Sequence, residues 1–525
     1  MALSVQHQES STTLTCLPIE LLGQVISSLH NSDIKNLRET CTFFHKIAQL
    51  RLNRVFLSTN PRDIQVFTAV AEHDVLRLGV QEIIYDDARF WNEYATPMDD
   101  WLPEDDELQA ATGIPSWYRY LYDDDVADAK DSFETGTETC GGLATKEVSE
   151  TLWNVEESYK NYQELLQGQT EVISQGRDID ALRFGLLRFP NLRRVTLTIL
   201  THGKLSEPFY YTPTIRALPS GLIYPLARGW PGTDMYDEEL YGETWGGEKE
   251  KWRGFCVLTH GIAEHIRENP ATRISEFSIE VDQILAGISL RLFDDTECSE
   301  YKDLITVLSY PGFRRFDLPL DCTYIWGRQE WAVFHSRQFH DLPSNATDLQ
   351  HISLSTNMDF HSALWEVISR EERRPPLRCI FPIDKWSNLR HFSLSRFFVK
   401  QEDAMDFLGI LPPTLKSLEL SHLEFVPWYA GSYRGLFEEM RRSLGWRERA
   451  PENQPKIVVF VEGRGSLIDV SFEVEDYLYN HGDNPFTVGS NPLFREKRHY
   501  VFSDVGTKVD VLSPGYKRLE FPIYD

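Results

Sequence analysis

Histidines, carboxylates and cysteines are where chemistry would start, and their densest grouping is His260-Gly-Ile-Ala-Glu264-His265. A zinc-peptidase helix needs HExxH or HxxEH, so that two imidazoles lie one turn apart with the glutamate beside them. Here the order is wrong for the first pattern and the spacing one residue too long for the second, so these side chains read as the polar face of an amphipathic helix. The chain has no GxxxxGK[ST] phosphate loop and no GxSxG nucleophile elbow, and Gly463-x-Gly465 alone is too short a signal for either. The acidic groups Asp99-Asp100, Glu104 to Glu107 and Asp123 to Asp125 lack the spacing, glycine and terminal glutamate of a calcium loop. The seven cysteines (16, 41, 140, 256, 298, 322, 379) are odd in number and contain no CxxC pair, which predicts reduced thiols packed in the core. No residue receives a catalytic, metal or cofactor role.

Charge narrows the partners. The chain of 525 residues carries 53 basic and 80 acidic side chains, a formal charge of −27, which opposes any general attraction to nucleic acid or an anionic membrane. A mean hydropathy of −0.37, no long uncharged apolar run, and a start (MALSVQHQES) without a signal-peptide pattern predict a soluble intracellular protein. REERR (370 to 374) and REKRH (495 to 499) leave the cytoplasmic and nuclear compartments both open.

The elements that would position an interaction site come from a recurring phrase, apolar-x-x-apolar-x-apolar. It occurs as VQEIIY at 80, LRRVTL at 192, ISEFSI at 274, FRRFDL at 313, LQHISL at 349, LRHFSL at 389 and LKSLEL at 415. Alternating side chains suit strands, and the stretches AMDFLGILPPT, EYKDLITVLSYPG and FCVLTHGIAEHIRENP before three of them suit helices. The fold class is therefore α/β, with parallel strands alternating with helices in an irregular solenoid. KIVVFVE (456 to 462) adds a further strand, and VSFEVEDYLYNHG a strand and helix stopped by Gly482. Two insertions interrupt the register: an acidic one over about 86–147, flexible in its acidic run and followed by a helix near 148 to 173, and a Pro/Tyr/Trp-rich one over about 205–250. The variable slots of the phrases hold Arg193, Arg194, Arg314, Arg315, Gln350, His351, Arg390, His391, Lys416 and Ser417. Arg193, Arg314, Arg315, His351, Arg390, His391 and Lys416 are the candidate target-binding residues, a local positive ridge suited to carboxylate or phosphate.

Residues 15–60 predict a separate module after a flexible 1–14. LPIELLGQVISSL places Pro18 at a helix start and Glu20 in its first turn. Its apolar residues spread over more than one face, so a second surface must be covered by something else. Asn31-Ser32-Asp33 begins a second helix, and FFHKIAQLRLNRVF reads as a third, with Phe44, Ile47 or Ala48, Leu52 and Val55 on one side. The ordered set Leu17, Pro18, Glu20, Leu21, Leu22, Ile26, Leu29, Asp33, Ile34, Leu37 and Cys41 resembles an F-box, with Phe43-Phe44 where that family often has Trp. The resemblance covers less than a tenth of the chain. With the phrases of 61–480 it is similar to the fungal F-box proteins with degenerate leucine-rich repeats, ending in a cap and tail over 481–525. In that family the Asn357 of LQHISLSTN is at the repeat's asparagine position.

The resemblance implies a non-catalytic, target-recognition subunit of an SCF-type cullin-RING ubiquitin ligase. Leu17, Pro18, Leu21, Leu22, Ile26, Leu29, Ile34 and Leu37 would dock on the ligase adaptor, and through it on cullin, while the repeats hold a protein target. A scaffold that uses the module for partner binding without degradation is the alternative, and an enzyme with its site in the Trp/Tyr-rich insertion is a third class.

Overall fold

Each of the seven phrases forms a strand of one sheet. The computed structural model describes residues 14–29, 31–91, 109, 111–135, 152–203, 208–227, 229–230, 244–281, 284–322, 332–335, 337–357, 376–426, 431–463, 466–487, 497–501 and 519–522. Three helices come first: α1 (Ile19–Ser28), α2 (Asn31–Thr40) and α3 (Thr42–Ile47). The strands follow as β1 (Arg54–Ser58), β2 (Glu82–Asp86), β3 (Arg194–Thr198), β4 (Glu276–Glu280), β5 (Ile288–Ser289), β6 (Arg315–Asp321), β7 (His351–Thr356), β8 (His391–Ser395), β9 (Phe398–Val399), β10 (Ser417–Ser421), β11 (Glu424–Phe425) and β12 (Lys456–Val458). The sheet order is β1-β2-β3-β4-β6-β7-β8-β10-β12, parallel throughout, with β5 beside β6.

The phrase explains the register. In Leu389-Arg-His-Phe392-Ser-Leu394 the three apolar side chains are at most 1% exposed, facing the helices. Along most of the sheet the carbonyl just before a strand accepts two N–H groups from the next, as when Arg390 O takes those of Lys416 (2.7 Å) and Ser417 (3.0 Å). The same double bond recurs at Asn53, Gln81, Arg193, Ser275, Arg314 and Gln350. Parallel neighbours need crossovers, and helices supply them: α4 (Pro61–Glu72), then Arg177–Arg188, Arg253–Glu268, Ser299–Leu308, Gln401–Gly409 and Tyr433–Ser443. Neighbouring helices pack side by side along one face, over a core that continues from Val55 to Leu478. Asn357, 3% exposed, ties two turns together: its Oδ1 accepts the Cys322 N–H (2.7 Å) and its Nδ2 donates to Asp321 (2.7 Å).

Several expectations are corrected. The third helix ends at Ile47, and Val55 lies in β1. Leu52-Asn-Arg-Val55-Phe-Leu57 is an eighth copy of the phrase, concealed by the helical spacing of the apolar residues before it. The sheet thus begins inside the stretch 15–60. Asp123 to Asp125 lie on the helix Ser116–Thr135 instead of a flexible run, because Trp117, Tyr118 and Tyr122 anchor that helix on an aromatic cluster with Tyr159 and Tyr162. The next helix is Val155–Gln175, capped by the Asn154 side chain. The end piece leaves the parallel sheet early: Phe460–Gly463 pairs antiparallel with Ser466–Asp469, before the helix Ser471–Tyr479. Cys16, Cys41 and Cys379 are exposed instead of packed, whereas Cys322 is buried. Residues 1–13, Asp99-Asp100, Glu104 to Glu107, Cys140, residues 231–243 of the Pro/Tyr/Trp-rich insertion, and REERR lie outside the described residues.

Backbone approaches backbone closely at Gly287, just before β5. A Cβ there would fall 2.3 Å from the Leu320 carbonyl carbon and 2.6 Å from two backbone nitrogens of β6. The Gly287 carbonyl also accepts the Trp252 Nε1–H (2.8 Å). Gly287→Ala is expected to lower stability by about 1–3 kcal/mol or more, since backbone on both sides must separate. Urea unfolding followed by tryptophan fluorescence checks it, and an unchanged midpoint would contradict this packing.

Candidate functional site

Helix α1 divides its apolar residues between two surfaces. The Leu22 N–H donates to the Pro18 carbonyl (3.0 Å), and Glu20 lies in the first turn, where the helix dipole favours it. Leu22 and Ile26, one turn apart, are 1% and 9% exposed. Ile26 packs with Ile34 and Ala48, and with the half-buried Leu29, Leu37, Ile47 and Leu50, in a small core of the module's own. Leu17, Leu21 and Val25 lie on the other side, 38%, 46% and 39% exposed, beside exposed Pro18 and Ile19. Phe43 adds to this set: it is 39% exposed, with its ring edge-on to buried Phe44 at 5.4 Å.

The eight residues read as adaptor-binding therefore separate. Leu17, Pro18 and Leu21 present outward, whereas Leu22, Ile26 and Ile34 are spent on internal packing, and Leu29 and Leu37 are partly so. Three helices this short cannot hold together without a core, which claims those side chains. Val25, one turn from Leu21, and Phe43 are exposed as well, although neither is among the eight residues read as adaptor-binding.

The module is tied to the passage that leads into β1. The Arg51 guanidinium donates to the carbonyls of Ser27 and Leu29 at the end of α1, where the dipole favours a cation. The Arg51 N–H donates to Asn31 Oδ1 (3.0 Å), and Arg38 Nη1 donates to the Ala48 carbonyl (2.7 Å). The exposed Cys41 thiol at the start of α3 is held below its ordinary value by hydrogen bonds from the backbone there, Phe44 foremost.

The predicted positive ridge also separates, into two rows. Arg193, Arg314, Arg390 and Lys416 are exposed at the leading edge of the strands. The row one residue further on is neutralised within the chain. Arg194 Nε donates to Glu276 (2.6 Å). Arg315 (2.7 Å) and His351 (2.9 Å) converge on Asp317, which also accepts from Ser278 (2.7 Å). Burial alone would raise the Asp317 carboxyl, but the charges of His351 and Arg315 outweigh it and hold it well below the carboxylate range. The His351 ring stacks on His391 at 4.0 Å, and His391 Nδ1 lies 2.6 Å from Ser417 Oγ. Burial, then His351, push the His391 imidazole well below its ordinary value, so it is neutral. Arg315, His351 and His391 are consequently not a free positive surface; Arg315 is paired two residues on along its own strand, whereas His351 and His391 meet partners on neighbouring strands, which sequence spacing does not reveal.

Ionisable groups also gather around β2. The Asp178 carboxylate accepts from Tyr85 Oη (2.7 Å) and from Arg253 Nη2 (3.0 Å). Asp87 accepts the Gly254 N–H (2.9 Å) and Trp230 Nε1–H (2.8 Å), and Asp63 accepts from Ser58 Oγ (2.6 Å) and the Thr214 N–H (2.8 Å). All these carboxylates are buried and fasten helices and loops to the sheet and to one another, with no nucleophile open to solvent beside them among the described residues. His260 bonds Asp303 (2.8 Å) and Glu264 bonds Arg183 (2.9 Å), so the histidine grouping of the sequence is spent on separate neighbours. Among the described residues no group of three His, Cys, Asp or Glu could hold a metal ion, and no helix is long and apolar enough to cross a membrane. The chain matches no family model, and no curated protein is significantly similar to it.

Proposed function

We propose that the chain is a target-recruiting subunit of an SCF-type cullin-RING ubiquitin ligase, with residues 17 to 47 as an F-box-like docking module and the parallel solenoid, read as degenerate leucine-rich repeats, as the target-holding part. It would work in the cytoplasm or nucleus and catalyse nothing itself. One observation carries the reading: α1 and the turn before it have a filled inner face at Leu22 and Ile26 and an unfilled apolar outer face at Leu17, Leu21 and Val25. Solvent-exposed leucines at this spacing are costly unless a partner covers them. The ordered F-box-like positions around them supply the partner's identity.

The test is co-expression of the full chain with the ligase adaptor. Burying each leucine is worth about 1.5–3 kcal/mol, so Leu17→Glu with Leu21→Glu should weaken the complex a hundredfold or more. Both residues are exposed, so circular dichroism should stay unchanged. Equal binding by the double variant, or none by the wild type, would defeat the proposal.

A further inference from the structure

Where the helical module meets the first repeat, the chain encloses a groove of about 860 Å³, within the range that holds small ligands and short peptide segments. One wall is α2, with Lys35 and Glu39 one turn apart, and the other is α4, with Arg62 and Val66. Arg54 of β1 and Arg216 stand at its sides, and half-buried Phe56 and Leu76 contribute to its floor. Lys35, Arg51, Arg54, Arg62 and Arg216 line it against the single carboxylate of Glu39. This sign is opposite to that of a chain with a formal charge of −27. Arg51 is engaged on the module's carbonyls, and Arg216 Nε donates to the Tyr211 carbonyl (2.8 Å). Arg54 lies 3.8 Å from Glu82, whereas Lys35 and Arg62 have no carboxylate partner among the described residues.

We propose that this groove binds an acidic segment of a partner protein, with carboxylates on the Lys35, Arg54 and Arg62 rim and an apolar side chain on the Phe56 and Leu76 floor. Guanidinium and carboxylate match in geometry as well as charge, and a cleft lined by one sign focuses its field on an incoming chain. The apolar floor favours a peptide over a bare anion, because a desolvated side chain adds about 25 cal/mol per Å² buried. A nucleic acid strand would meet the same rim but is repelled by the acidic remainder of the molecule. The site differs from the outer row of Arg193, Arg314 and Arg390, which is spread along the sheet edge. It is also independent of adaptor docking on α1.

Fluorescence anisotropy of the full chain, without adaptor, decides the matter. The probe is a labelled peptide Glu-Asp-Leu-Glu-Asp-Phe-Glu, compared with its Leu and Phe to Ser version, with a Lys-for-acid version, and with an oligothymidylate. The acidic apolar peptide should bind best, and more weakly as salt rises. Lys35→Glu with Arg62→Glu should weaken it tenfold or more; Arg62 is in the first turn of α4, where glutamate suits the dipole, so the fold is preserved. Failure of the peptide to bind, equal binding by the double variant, equal binding of the Ser version, or tighter binding of the oligothymidylate would each overturn the proposal. None of these outcomes depends on whether α1 docks on an adaptor.

Discussion

Asp178→Ala should destabilise the protein by about 3–5 kcal/mol, because it strands a buried guanidinium. Asp178 is fully buried and Arg253 is 8% exposed, and the pair joins the helix Arg177–Arg188 to the helix Arg253–Glu268 with Tyr85 of β2 between them. Without the carboxylate, Arg253 keeps its charge and loses the groups that replaced water around it. Asp178→Asn retains two hydrogen-bonding atoms and should cost less than the alanine. Urea unfolding of the three proteins makes the comparison, and an alanine variant within about 1 kcal/mol of wild type would show that Arg253 reaches solvent by another route.

The second large effect is a pH dependence. Asp86, at the end of β2, is 4% exposed, and burial pushes its carboxyl up to about 8 against the lowering by Thr201 and by the Ala88 N–H (2.9 Å). Asp63 and Asp87 raise it further. The unfolded chain releases this proton near pH 3.9. Between those values the folded state holds a proton that the unfolded state lacks, so its stability falls as pH rises, by about 1.4 kcal/mol per unit. Asp86→Asn mimics the protonated form and should remove that slope, gaining about 4 kcal/mol on the wild type between about pH 5 and 8. Parallel stability profiles for the two proteins would show that Asp86 is ionised in the fold.

The sheet was legible because its signal is local. Seven phrases, each with three apolar residues at fixed offsets, supplied seven strands in parallel register. One full-length strand they missed, β1, has the same offsets at Leu52, Val55 and Leu57, but Phe44, Ile47 and Ala48 precede it at helical spacing and draw it into α3. The outward face of α1 was legible for the same reason: Leu21 and Leu22 cannot share one side of a helix. Pairing between repeats was not. Arg194 meets Glu276 and His351 meets Asp317 across strands, and their neutralisation depends on where crossovers of unequal length return the chain. The groove escaped notice because Lys35, Arg62 and Arg216 come from three segments.

Consider finally the short passage from Ile47 to Arg54. Its residues hold Asn31, the end of α1 and, through the Asn53 carbonyl, the N–H groups of Gln81 (2.8 Å) and Glu82 (3.1 Å). A passage bonded at both ends is a bracket, not a tether. Anything gripped by the solenoid would be carried at a fixed distance and bearing from whatever grips α1, and a pair of bodies so mounted spends no orientational entropy in finding each other. The cost is reach: only those surfaces of the cargo that already face the right way would come within range.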